Sequence, residues 1–285
     1  MLNAPALAVF GTFFLAPAAV GLWFSFHEWD GVSRSAAFVG LSNYGTLFAT
    51  DRFWGAFRVN MLVAVLSLAM QMPLALGLAL ALSRRGRLMR LYRSAIFAPQ
   101  VLSVAAVALT WNLVYDPSQG FLNRLLEAVG LGPVEIAWLG DPRFALVSVL
   151  VATTWFYFGL HMLLFMAGLA AIPPEYFDVA RLETVRWHQK LRHVTLPLLR
   201  EQVLISFTLI VSGSFGHLLG LFFLMTDGGP AGRTELLGLY MTKVAFRGSQ
   251  YGLGSAVSVL MLVLVLAIVI WPILRVGRER LEFGL

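Results

Sequence analysis

"PPEYFDVARLETVRWHQKLRHVTLPLLRE", residues 173–201, carries nine charged residues among its twenty-nine, and long uncharged apolar runs lie on either side of it. Charge at this density between such runs marks an element that faces water, and its spacing suits helices better than a linker. Pro173-Pro174 ends the preceding run and presets a helix start. Glu175 and Asp178 then fall in the first turns, where the helix dipole favours carboxylates. A short helix to about Thr184 is expected. Beyond it Trp187, Leu191, Val194 and Leu198 recur at i, i+4, i+7 and i+11 as one apolar stripe, with Arg186, Lys190, Arg192 and His193 largely off it. Pro197 marks the start of the next apolar run. Such an island either rests on a bilayer as an amphipathic helix, with Trp187 at headgroup level, or is exposed for a soluble partner.

The rest of the chain requires a bilayer. Apolar residues make up 59% of it and charged residues 13%, about half the charged share of a soluble domain. Six segments each supply the ~20 apolar residues that a helix needs to cross the hydrocarbon core. They lie at about 4–26, 59–82, 94–115, 145–171, 202–226 and 252–275. The fold class expected is an all-α integral membrane protein of six transmembrane helices with a cytoplasmic helix between spans 4 and 5. With no linker or repeat to divide it, 1–285 reads as a single transmembrane domain with its charged loop at 173–200. The first apolar run has no Lys or Arg before it and exceeds a signal peptide's core, so it is expected to be a retained helix in a chain with a short or clipped N-terminus.

Charge gives the orientation. Thirteen Lys and Arg fall in 83–93, 175–201 and 275–285, against eight in the three loops of the opposite side. The richer side should be cytoplasmic, which places both termini there in the cytoplasmic membrane. Topology near anionic lipid accounts for the net charge of +6, and no nucleic-acid partner is implied. The outer loops are too short for an independent capture domain. Small residues Gly252, Gly254, Ser255, Ala256 and Ser258 open the last span and suit close helix packing, within the chain or between subunits.

Chemistry is sparse. The chain has no Cys, and its five His are scattered without ligand spacing, so no metal site is expected. It lacks the G-x-x-x-x-G-K-[ST] phosphate loop, so it should not hydrolyse ATP. "SGSFGH" at 212–217 sets Ser214 and His217 at i, i+3, but without nucleophile-elbow glycines it reads as polar packing and not as a hydrolase. An autonomous channel or secondary transporter is the alternative class. Such a protein usually carries a membrane-embedded acid or base, and here every Asp, Glu, Lys and Arg lies in a loop or at a span's edge.

The island resembles the cytoplasmic signature of ATP-binding-cassette importer permeases: E-A-A, three residues, G, nine residues, I, one residue, L-P. Asp178-Val179-Ala180 takes the E-A-A positions, Thr184 the glycine, Val194 the isoleucine and Leu196-Pro197 the L-P, in register without a gap. Thr184 is a departure, because a β-branched residue resists the left-handed turn that glycine permits. "FVGLSNYGTLFATDRFW" (38–54), "WNLVYDPSQGFLNRLL" (from Trp111), "LLFMAGLAAIPPEYFDVA" (from Leu163) and "FFLMTDGGPAGRTELLGLYMTKVAF" (from Phe222) are similar to the carbohydrate-uptake branch that includes the maltose and glycerol-phosphate permeases, in its first-permease type.

The resemblance implies a second homologous permease, two ATPase subunits that hold the ATP and magnesium, a separate extracytoplasmic solute-binding protein, and no cofactor in this chain. It implies that Glu175, Asp178, Val179, Ala180, Glu183, Thr184, Leu196 and Pro197 couple to the ATPase. For the solute pathway, the polar groups that lipid would penalise are the candidates: Asn112, Ser212, Ser214, His217, Ser255 and Ser258. Trp111, Trp155, Tyr157 and Phe215 are candidates for stacking on sugar faces.

Overall fold

The computed structural model describes residues 4–83, 86–131, 135–177 and 186–283. Helix α1 (Ala4–Ser25) leads into a two-stranded antiparallel hairpin, β1 (His27–Glu28) with β2 (Ala37–Phe38), in which His27 pairs with Phe38. The short α2 (Ser42–Ala49) precedes α3 (Asp51–Leu82), the first of the long core helices. Next come α4 (Arg87–Phe97), a 3-10 turn (Ala98–Val101), α5 (Val104–Val114) and α6 (Phe121–Ala128). The second long core helix is α7 (Ala145–Ala171). After it come α8 (Trp187–Leu198), α9 (Arg200–Phe215), α10 (Leu219–Thr226), α11 (Leu237–Thr242), a π turn (Lys243–Arg247) and α12 (Tyr251–Phe283).

Among the described residues four helices are long and apolar enough to cross a membrane: Ala4–Ser25, Asp51–Leu82, Ala145–Ala171 and Tyr251–Ile270. The number rises to six if each of two bent pairs forms one span. Leu7, Phe13 and Phe14 of α1 are more than half exposed, a placement that lipid favours and water would not. Helices α3 and α7 form the central pair, with Ala75 and Ala79 of α3 letting Met162 and Phe165 of α7 approach closely. The small residues of the last span pack within the chain: Gly252 lies against the His27 carbonyl and Gly254 against Ala245.

Two expected spans are broken. Residues 94–115 do not form one straight helix, because the chain bends by 103° between Arg87–Val101 and Val104–Val114. Pro99 sits in the 3-10 turn, and Ser103 restarts the helix by accepting a hydrogen bond from the Ala106 N–H. Residues 202–226 divide at Gly216, whose backbone (φ −133°, ψ −74°) leaves the helical region. There the Gly213 carbonyl accepts the N–H groups of both Gly216 and Leu218. The legs that follow the two breaks, α5 and α10, pack on each other.

The island differs from its expected stripe. Trp187 is 77% exposed, and Thr195 and Leu199 are the buried positions. A π turn over Leu191–Thr195 adds a residue to that turn and rotates the buried face past Val194. A 74° bend at Leu199 then carries the chain from α8 into α9. Lys190 lies 4.5 Å above the Phe177 ring, so two parts of the island thirteen residues apart are in contact. Asp178, Val179, Ala180, Glu183 and Thr184 lie outside the described residues. Glu175 is exposed, and Leu196 and Pro197 lie in α8.

Candidate functional site

A cavity of about 220 Å³ opens among α3, α7, α9 and the turn after α9. Helix α3 contributes Gln71, α7 contributes Tyr157, Leu160 and His161, α9 contributes Leu209, Ile210 and Gly213, and the turn contributes His217 and Leu218. None of these side chains is an acid, a Lys or an Arg. Gln71 and His161 are buried, and His161 shares a 2.9 Å hydrogen bond with Ser206 of α9. That bond fixes the ring on one side and ties α7 to α9. Because the break at Gly216 frees His217 from the helix, its imidazole reaches the cavity.

Of the residues expected from sequence to line a pathway, the structure brings Tyr157 and His217 to this cavity. Ser212 and Ser214 instead donate to carbonyls of their own helix, at Thr208 (2.6 Å) and Ile210 (2.8 Å). The expected i, i+3 pair of Ser214 and His217 on one helix does not exist, since α9 ends at Phe215. Phe215 is buried against Leu237 and Tyr240. Trp111 and Trp155 meet edge to face at 5.8 Å, away from the cavity, and the Asn112 Oδ1 is buried without a protein partner. Ser258 donates to the Met241 sulfur, and Ser255 is half-buried on α12; neither lines the cavity. Gln71 and His161 were not anticipated. The available signal was an amide and an imidazole inside runs that lipid would otherwise bathe.

A second polar cluster joins the head of α3 to the segment between α10 and α12. Arg52, at the head of α3, donates to both carboxylate oxygens of Glu235, and Lys243 adds a third bond of 3.0 Å. Lys243 also donates to the Asp227 carbonyl, and Arg247 to the Asp227 carboxylate. Burial pushes the Glu235 pKa up, but the hydrogen bonds from Arg52 and Lys243 outweigh it and leave the carboxyl below its ordinary value. The segment from Asp227 to Arg247 is thereby pinned to the top of α3. Among the described residues no group of three His, Cys, Asp or Glu could hold a metal ion.

This architecture is matched among known proteins. The model of the family described as "Binding-protein-dependent transport system inner membrane component" matches residues 72–276. The probable ABC transporter permease protein YurN of Bacillus subtilis is 32% identical over 281 residues, covering 96% of this chain and 95% of that one. The trehalose/maltose transport system permease protein MalF of Thermococcus litoralis is 31% identical, covering 97% and 92%. The sn-glycerol-3-phosphate transport system permease protein UgpA of Agrobacterium fabrum is 28% identical, covering 100% and 96%. In fold, the chain is similar to a chain of a bacterial ABC transporter involved in the import of the acidic polysaccharide alginate, with a TM-score of 0.83, 19% identity and coverage of 97% and 94%. The helical membrane bundle, its uncharged internal cavity and a family match over most of its length lead to one conclusion: the chain belongs to the binding-protein-dependent inner membrane components, the permeases of ABC importers, and is not itself a catalytic subunit.

Proposed function

We propose that this permease forms, with a homologous partner, the translocation pathway for a carbohydrate or a sugar-like solute, and that the cavity among α3, α7 and α9 is this chain's share of the binding site. The lining carries the reading. Gln71, Tyr157, His161 and His217 offer donors and acceptors, Leu160, Leu209 and Ile210 offer apolar surface, and no formal charge is present. A polyhydroxyl compound presents the same mixture of hydroxyls and C–H faces. Relatives named for trehalose/maltose and for sn-glycerol 3-phosphate support the solute class.

The test is reconstitution in liposomes with the partner permease, two ATPase subunits and the binding protein, measuring ATP-driven uptake of labelled maltose, trehalose and glycerol 3-phosphate. Each of Tyr157→Ala and Gln71→Ala should raise the half-saturation concentration by about fivefold, the worth of one hydrogen bond, without altering assembly. Unchanged uptake in both variants would remove the cavity from the pathway.

Coupling to the ATPase is assigned to residues 175–184, with both termini and this loop cytoplasmic and 1–285 acting as one transmembrane domain. The contact between Phe177 and Lys190 supports a loop that leaves and returns at one point. The small Ala180 and the acid at Asp178 suit a closely docked face with basic partners. Ala180→Trp and Asp178→Lys should insert at normal levels yet lose uptake and retain little ATPase on purification. Normal ATPase retention in Ala180→Trp would mean that the loop only rests on the membrane.

A further inference from the structure

Asn60 is fully buried on α3, and its side chain closes two helix ends at once. Its amide nitrogen donates to the Ser214 carbonyl at 3.3 Å, and its oxygen accepts the Leu237 N–H at 3.2 Å. Ser214 lies in the last turn of α9, where carbonyls have no intrahelical donor, and Leu237 begins α11, where N–H groups have no intrahelical acceptor. The N-cap of α11, Leu236, makes no side-chain cap hydrogen bond, and the C-cap of α9, Gly216, has no side chain.

The two ends belong to different parts of the molecule. The Ser214 end runs straight into the turn at 216–218, which places His217 and Leu218 in the cavity. The Leu237 end belongs to the outer segment that Glu235 pins to Arg52 and Lys243. We infer that Asn60 is a positioning residue that makes the cavity wall at 216–218 follow the outer segment 227–247, so that displacement of the outer face by a docked binding protein reaches the solute site. The inference rests on the reading of the cavity as that site. Asn60 does not line the cavity and acts only through the two backbone groups that it holds.

A double-variant cycle tests it in the complete transporter, reconstituted with its partner chains. Because the chain has no Cys, Gly216→Cys supplies the one thiol of this subunit, read on its own gel band, and among the described residues a Cβ at Gly216 meets only the Ser212 carbonyl, at an ordinary 3.7 Å. The outer segment is perturbed by Glu235→Gln, and the rate of thiol alkylation is measured with Asn60 intact and with Asn60→Leu, which keeps the branched shape and removes both hydrogen bonds. Glu235→Gln should change the rate by about threefold or more with Asn60 present and by less than about 1.5-fold without it. Asn60→Ser provides the same comparison should Asn60→Leu fail to assemble.

Asn60→Leu should also lower the maximal uptake rate several-fold while leaving half-saturation within about twofold, as expected of a residue that transmits and does not bind. Equal effects of Glu235→Gln in both backgrounds, or none in either, overturn the inference. Coupling that persists while Tyr157→Ala and Gln71→Ala leave uptake unchanged would overturn the cavity reading and not the link.

Discussion

Arg52 and Glu235 are separated by 183 positions in sequence, yet the guanidinium donates to both carboxylate oxygens, at 2.9 Å from Nε and 2.7 Å from Nη2. The carboxylate is buried and the guanidinium is 55% exposed, so the two ends of this bond are unequal in cost. Removing the carboxylate charge in Glu235→Gln leaves Lys243, only 16% exposed, with Asp227 as its remaining carboxylate. A loss of about 2 kcal/mol in thermal stability of the purified protein is expected. Arg52→Ala should cost less, about 1 kcal/mol, because solvent already screens that partner.

The same carboxylate makes the segment 227–247 acid-sensitive. Its folded pKa lies below the ordinary 4.5, so its stabilising contribution is complete above that value and disappears as pH falls through the lower folded one. Proteolysis within 227–236 should therefore accelerate below about pH 4 in the wild type. In Glu235→Gln it should be faster at neutral pH and nearly flat over that acid range. A steep acid step in Glu235→Gln would assign the transition to another group.

His161 and Ser206 form a buried pair across α7 and α9. Ser206→Ala strands the imidazole Nδ1 and should cost about 1–3 kcal/mol, and His161→Leu should cost a similar amount. The double variant should be less destabilised than the sum of the two, since neither partner is then left alone. Strict additivity in thermal denaturation would show that the bond contributes nothing.

Gly159 of α7 lies close against the backbone of α4. A Cβ there would sit 2.6 Å from the Ile96 carbonyl oxygen and 3.1 Å from the Phe97 Cα, backbone atoms that cannot rotate away. Gly159→Ala should therefore cost about 1–3 kcal/mol. Gly77, on α3, has nothing within 4 Å of its virtual Cβ, and Gly77→Ala should be neutral or stabilise by up to about 1 kcal/mol. Equal melting temperatures for the two variants would contradict the packing.

Orientation can be read with an impermeant thiol reagent on intact cells, because the chain lacks native Cys. Ser118 and Ser83 are both exposed, so accessibility depends on the side of the membrane. Ser118→Cys should label and Ser83→Cys should not. Labelling of Ser83→Cys alone would invert the topology and place the island outside.

What the sequence disclosed followed from charge. The island at 173–201 stands out because lipid excludes charged side chains, and the apolar runs around it are visible for the same reason. Hydropathy is blind to direction, however. Residues 94–115 and 202–226 are uninterrupted by charge, so Pro99 with the Ser103 cap, and Gly216, were the written traces of the breaks in these two runs. The cavity was half legible: Tyr157 and His217 stand out as polar or aromatic groups in apolar runs, whereas Gln71 acquires meaning only once α3 lies beside α7. The pairing of His161 with Ser206, of Asn60 with two helix ends and of Arg52 with Glu235 each requires knowing which distant elements meet, and no local pattern records that.

The bend between Val101 and Val104 also fixes an order of events at the ribosome. Val104–Val114 is about 16 Å long at 1.5 Å per residue, roughly half the hydrocarbon thickness. Its packing neighbour Leu219–Thr226 is translated more than a hundred residues later. The Val104–Val114 leg thus emerges well before the surface on which it settles.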